Sequence, residues 1–137
     1  MLFDGADILI GETFYYAEEA YKALEVMKKT GLPCVITIAP MGENIMRDEV
    51  SIVDTCKELE QLGGDVVGMN CFRGPTTMMP YLKEIRKALK CHVAALPINF
   101  RTTEERVKKW MFLPYHGPVT DTYIRKLKNS GALINRS

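Results

Sequence analysis

An α/β fold of about four consecutive βα units with parallel strands, an arc of a (β/α)8 barrel, is what this sequence predicts. Three observations predict it. Short apolar runs alternate with amphipathic helical stretches along the chain. Strand starts fall near residues 7, 33, 65 and 91, roughly 30 residues apart, the repeat of a barrel that takes about 250 residues to close. The glycine-rich phosphate loop that usually follows the first strand of a doubly wound sheet, the alternative arrangement, is missing.

The first strand is the short apolar run at residues 6–12, and a helix follows at about 15–29 with Ala20, Ala23, Leu24 and Met27 at helical spacing. Thr30-Gly31 supplies its C-terminal stop. Residues 33–39 are β-branched and continuously apolar, as in a strand covered on both faces. After a loop at 40–47, a helix at 48–62 carries Ile52, Val53, Cys56, Leu59 and Leu62 on one face and ends at Gly63-Gly64. Residues 66–71 form the third strand, and the turn Phe72-Arg73-Gly74-Pro75 leads to a helix at about 77–89. The fourth strand is 92–97. A long connection at 99–118, with a helical turn at 103–109, precedes a last helix at about 120–128 and the short apolar run Ala132-Leu133-Ile134. Connections of that length inside a compact domain often belong to function.

Bulk composition narrows the function classes. The 137 residues are 47% apolar and 26% charged, too apolar for a disordered tail. With 18 basic residues against 17 acidic ones the net charge is +1, which points to neither a nucleic-acid nor a membrane-surface partner. Lys108-Lys109-Trp110 is too small a basic patch to change that. No apolar run approaches the ~18 residues of a membrane span, and the N-terminus lacks the layout of a signal peptide. A cytoplasmic protein is expected. Its four cysteines, Cys34, Cys56, Cys71 and Cys91, contain no C-x-x-C pair, so each is a small buried hydrophobe or a reactive or metal-binding thiolate.

In a barrel the active site lies at the carboxyl ends of the strands. Glu12 closes the first strand, where its carboxylate either faces the pocket mouth and holds an ammonium group or is a solvated acid favoured by the following helix dipole. Gly68-Met69-Asn70-Cys71 closes the third. Gly68 permits close backbone approach, Asn70 offers donor and acceptor, and Cys71 is either a metal thiolate or a structural cysteine. Cys34 and Cys91 begin their strands, about 17–20 Å from the other end, whereas zinc–sulfur bonds are about 2.3 Å. Cys56 lies on an apolar helix face. His92 is also at a strand start, where a hydrogen-bonded or partly exposed imidazole is the ordinary reading. His116, in the long connection, is a minor candidate for a substrate contact. Met78-Met79 and Met111-Phe112-Leu113 read as packing.

Gly68-Met69-Asn70-Cys71 resembles the Gly-x-Asn-Cys motif of the homocysteine S-methyltransferase family. Ile10-Gly11-Glu12-Thr13-Phe14 with Glu18-Glu19-Ala20 resembles that family's glutamate-bearing strand and the helix after it, and Gly31-Leu32-Pro33-Cys34-Val35 resembles the approach to the next strand. Order and separations agree from about residue 6 to 118, and the likeness is greatest to the betaine-using branch.

The resemblance implies a zinc ion held by three cysteine thiolates that binds the homocysteine sulfur as thiolate, a nucleophile able to attack a methyl donor. It makes Cys71 one metal ligand, and Glu12 and Asn70 substrate-binding residues, with Glu12 on the homocysteine amino group. The family's tyrosine after the glutamate is Thr13 here. Its other two ligands are adjacent cysteines in a glycine-rich motif on the last strand. Residues 1–137 therefore read as an incomplete homocysteine-binding domain, cut from a homo-oligomeric enzyme that makes methionine and dimethylglycine from homocysteine and betaine. The alternatives are S-methylmethionine or a folate as donor, or a catalytically inactive fragment or splice form acting by association.

Overall fold

Strand and helix alternate from the first element onward in the computed structural model, which describes residues 5–40, 44–98, 100–101, 113–114 and 132–133. The elements are β1 (Leu9–Phe14), α1 (Ala17–Lys28), β2 (Cys34–Ile38), α2 (Ile52–Gln61), β3 (Val66–Asn70), α3 (Pro75–Ala88) and β4 (His92–Leu96), followed by the two-residue strands β5 (Phe100–Arg101), β6 (Leu113–Pro114) and β7 (Ala132–Leu133). The main sheet runs β1-β2-β3-β4-β7 with every neighbour parallel.

That order decides between the two α/β arrangements. Doubly wound sheets reverse direction partway along the strand order. Here each strand lies beside its predecessor, and a right-handed crossover at every step puts all the helices on one face. The packing agrees, since α1 contacts α2 and α2 contacts α3. The chain is an arc of a βα barrel.

Strand alternation sends one set of side chains to the helices. Cys34, Ile36 and Ile38 of β2, Val67 and Met69 of β3, and Val93 and Ala95 of β4 lie in register and are buried. They meet Ala17, Ala20 and Leu24 of α1, Ile52, Cys56 and Leu59 of α2, and Met78, Leu82 and Ile85 of α3. Each fully buried Leu, Ile or Met contributes about 1.5–3 kcal/mol relative to exposure. The opposite face carries the rows Ile10, Val35, Val66, His92 and Thr37, Gly68, Ala94. It is open along its edges, where Ile10 is 63% and Leu96 49% exposed. This is the face a closed barrel fills with stacked side-chain layers.

The structure moves some expected boundaries. β1 runs on to Phe14, so Glu12 lies inside the strand and does not close it. α2 begins at Ile52, not at 48, because Ser51 is its N-cap: the Ser51 hydroxyl accepts from the Asp54 N–H at 3.0 Å. Asp48 serves another helix. Its carboxylate accepts from the N–H groups of Ala17 and Glu18 at 3.0 and 3.1 Å, capping α1 from a loop, where Tyr16 offers no side-chain cap. The expected four strands gain a fifth in β7, since Ala132 and Leu133 pair with Val93 and Ala94. The long connection contains the antiparallel pair β5–β6. The helical turn expected at 103–109, the helix at 120–128, His116 and the Lys108-Lys109-Trp110 patch lie outside the described residues. No helix among the described residues is long and apolar enough to cross a membrane.

Candidate functional site at the carboxyl ends of the strands

β1 and β2 keep register from Leu9↔Cys34 to Gly11↔Ile36, then slip by one residue so that Phe14 faces Ile38. The extra residue makes a bulge, a device that re-aims side chains beside active sites. Glu12 and Thr13 occupy it. Gly11 and Phe14 flank them on the helix-facing side, which leaves Glu12 exposed at the inner mouth.

Thr13 has φ of 71°, a left-handed conformation costly for a β-branched residue. Its main-chain N–H donates to Asn70 Oδ1 at 2.9 Å, and its hydroxyl accepts from Asn70 Nδ2 at 2.5 Å. Asn70, the last residue of β3, is only 4% exposed. The bond passes over β2, linking strands that a flat sheet would hold about 10 Å apart.

Beyond Asn70 the chain takes two left-handed steps, Cys71 at φ 58° and Phe72 at φ 51°. The Cys71 N–H donates to the Leu96 carbonyl at 3.0 Å, anchoring the turn to the end of β4. The Phe72 ring packs edge-on against Tyr15 at 5.5 Å, and Arg47 lies 5.4 Å over Tyr15. Arg73 is buried with its guanidinium 4.3 Å over the Tyr81 ring.

Strain is sorted by end of the sheet. Among the described residues, the non-glycine ones with positive φ are Thr13, Asn44, Glu49, Cys71 and Phe72, all in or beyond the carboxyl ends of strands. Positive φ at the opposite end falls on Gly5, Gly31 and Gly63, where it costs little. Strained non-glycine backbone tends to gather where function over-determines it.

The expected site residues thus divide between two neighbouring segments. Glu12 sits on the bulge, Asn70 beside it, and Cys71, half-buried, at the next position. Cys34 opens β2 and is buried; burial raises its thiol pKa. Cys56 is fully buried in α2, and burial raises its thiol strongly. Cys91 precedes β4 and is pushed up to about 11 by burial and by the Glu60 carboxylate. High-pKa thiols at the amino ends are poor thiolate donors. Val66 pairs with His92 at the amino ends and Asn70 with Leu96 at the carboxyl ends. Cys91 and exposed His92 therefore lie a strand's length from Cys71. Among the described residues no group of three or more His, Cys, Asp or Glu side chains is placed to hold a metal ion. Cys71 is a free, half-buried thiol just beyond the carboxyl end of β3.

Two features of the site carried no local sequence signal. Thr13 stood only as a departure from an expected tyrosine, and its bond to Asn70 spans 57 positions. Arg73 read as turn material, yet it is buried beneath the mouth.

A family model described as homocysteine S-methyltransferase matches residues 1–127. The chain is similar to the S-methylmethionine–homocysteine S-methyltransferase of Pongo abelii, 31% identical over 113 residues, 79% of this chain and 31% of that protein. It is also similar to betaine–homocysteine S-methyltransferase 1 of Xenopus laevis, 32% identical over 115 residues, 79% of this chain and 28% of that protein. The chain spans about three-tenths of the length of these relatives.

Proposed function

The chain belongs to the homocysteine S-methyltransferase family, and on that premise we propose that it supplies the homocysteine-binding half of a zinc-dependent methyl transfer. The observation that carries the reading is the pairing of Glu12-Thr13 with Asn70-Cys71 at the strand mouth. An anionic group and a thiol there suit a substrate with an ammonium at one end and a sulfur at the other. Glu12 binds the homocysteine ammonium, and its exposed position keeps desolvation cost low. Cys71 holds the metal as one thiolate; the adjacent cysteine pair implied as its partners is not among this chain's four cysteines. Zinc, when bound, favours the thiolate form of the substrate sulfur at neutral pH. The left-handed steps at Cys71 and Phe72 turn the chain beyond β3, and the Leu96 carbonyl fixes the turn that carries the thiol.

Betaine is the proposed methyl donor, giving methionine and dimethylglycine. S-methylmethionine is the second reading, supported by the equally strong likeness to the Pongo abelii protein. Feeding each donor to the intact protein with homocysteine and measuring methionine separates them. A reducing, cytoplasmic setting suits this chemistry, since all four cysteines are free thiols. A homo-oligomer is the proposed state of the intact protein, which light scattering tests.

Cys71→Ala in the intact protein is expected to lose bound zinc and methionine formation together; full metal content at a normal rate would refute the ligand role. Glu12→Gln is expected to raise the KM for homocysteine about tenfold or more, the cost of an unpaired ammonium, with zinc retained.

A further inference from the structure

We propose that Thr13 and Asn70 are positioning residues: their paired hydrogen bonds set the Glu12 carboxylate in register with the Cys71 thiol. The proposal rests on the homocysteine reading above and deepens it. Glu12 is joined covalently to Thr13, and Cys71 to Asn70. The contact between Thr13 and Asn70 therefore couples the two segments directly.

That contact is built to resist movement. Two hydrogen bonds run in opposite directions between one residue pair, the Thr13 N–H to Asn70 Oδ1 and Asn70 Nδ2 to the Thr13 hydroxyl. Asn70 is 4% exposed, so water offers little competition for either bond. The bulge shifts the pairing of β1 with β2 between Gly11 and Phe14, and β3 meets the Thr13 N–H instead. Thr13 at φ 71° is a conformation the isolated strand would leave. The side chain of Asn70 thus holds a strained bulge whose product is the direction of Glu12. Glycine would adopt this φ without strain but would leave Asn70 Nδ2 without the hydroxyl that accepts from it.

The test separates geometry from stability through three substitutions at Thr13 in the intact protein. Thr13→Val keeps the branched shape and the N–H but removes the hydroxyl that accepts from Asn70. Thr13→Ser keeps the hydroxyl. Thr13→Gly removes the hydroxyl and relieves the backbone. Homocysteine affinity by calorimetry and KM by initial rates are read beside melting temperature and zinc content. Thr13→Val is expected to weaken homocysteine binding about tenfold, the scale of one buried hydrogen bond, and to raise KM more than it lowers kcat. Thr13→Ser restores affinity, and Thr13→Gly weakens it although its melting temperature is not reduced. Zinc content stays constant throughout.

Unchanged affinity in both Thr13→Val and Thr13→Gly would overturn the proposal. So would a loss in Thr13→Gly that follows a fall in melting temperature. If the parent protein binds homocysteine and Glu12→Gln weakens it while the Thr13 variants do not, the positioning role alone fails. If the parent protein shows no homocysteine binding, the underlying reading fails with it.

Discussion

Gly68 is the one residue of the Gly-Met-Asn-Cys run whose identity is dictated by its neighbours alone. A Cβ at this position would collide with the main chain of Ala94 on β4, its direct register partner. The obstructing atoms are backbone, so no rotamer change relieves them. Gly68→Ala must push β3 from β4 two residues before Asn70, and overpacking of this kind typically costs 1–3 kcal/mol or more. A loss of unfolding free energy of about that size, read as a lowered denaturant midpoint, is expected, and an unchanged midpoint would show that the strands are not so close. The glycine therefore serves strand approach, and Asn70 and Cys71 depend on it for their placement.

Helix α1 shows how an element can take its start from a distant residue. Its own N-cap, Tyr16, contributes no side-chain acceptor, while Asp48 accepts from both Ala17 and Glu18. Asp48→Ala leaves two first-turn N–H groups without their carboxylate and is expected to cost about 1–2 kcal/mol. Asp48→Asn, which keeps one good acceptor, should cost less. Thermal unfolding of the two variants gives the comparison; equal stability of both to the parent would remove Asp48 from the helix start. From sequence alone Asp48 looks like the beginning of the next helix, because an acid before an apolar periodic stretch is the usual N-terminal signal. The periodic faces themselves were legible: Ala20 and Leu24, then Ile52, Cys56 and Leu59, are buried as their spacing requires. Periodicity reports which face is apolar, whereas a cap needs only one oxygen in reach, from anywhere in the chain.

Across the sheet, the two ends divide their labour. The amino ends are stapled by carboxylates accepting from main chain. Asp65 accepts from the Cys34 N–H at 2.8 Å and from Lys28 at 3.1 Å. Glu60 accepts from the N–H groups of Lys90 and Cys91 at 2.7 and 2.6 Å. The bond from Cys91 leads in holding Glu60 below its ordinary 4.5, and that from Cys34 leads in holding Asp65 below its ordinary 3.8. A carboxylate with a depressed folded pKa contributes stability that is complete above the unfolded value and is lost as pH falls through the folded one. Stability should therefore hold from neutrality to about pH 5 and decline below the ordinary carboxylate range. Denaturation midpoints measured down to about pH 3 check this; a Glu60→Gln variant should show a shallower decline, and an identical slope would exclude Glu60 from it. The carboxyl ends hold the strained residues and the candidate site, the arrangement expected where loops carry function and the opposite rim carries stability.

The sequence by itself determined the βα alternation, the faces of its helices, the strand ends as the place for chemistry, and the family to which Gly68-Met69-Asn70-Cys71 points. Those are local properties: apolar spacing, turn residues and a contiguous motif need no knowledge of distant neighbours. Only the tertiary structure decided that β1 bulges at Glu12, that Thr13 and Asn70 bind each other across an intervening strand, that Asp48 caps a helix 31 positions away, and that Ala132–Leu133 joins the sheet. Each of these is a contact between residues far apart in sequence. Its energy exists only once the chain has closed around it.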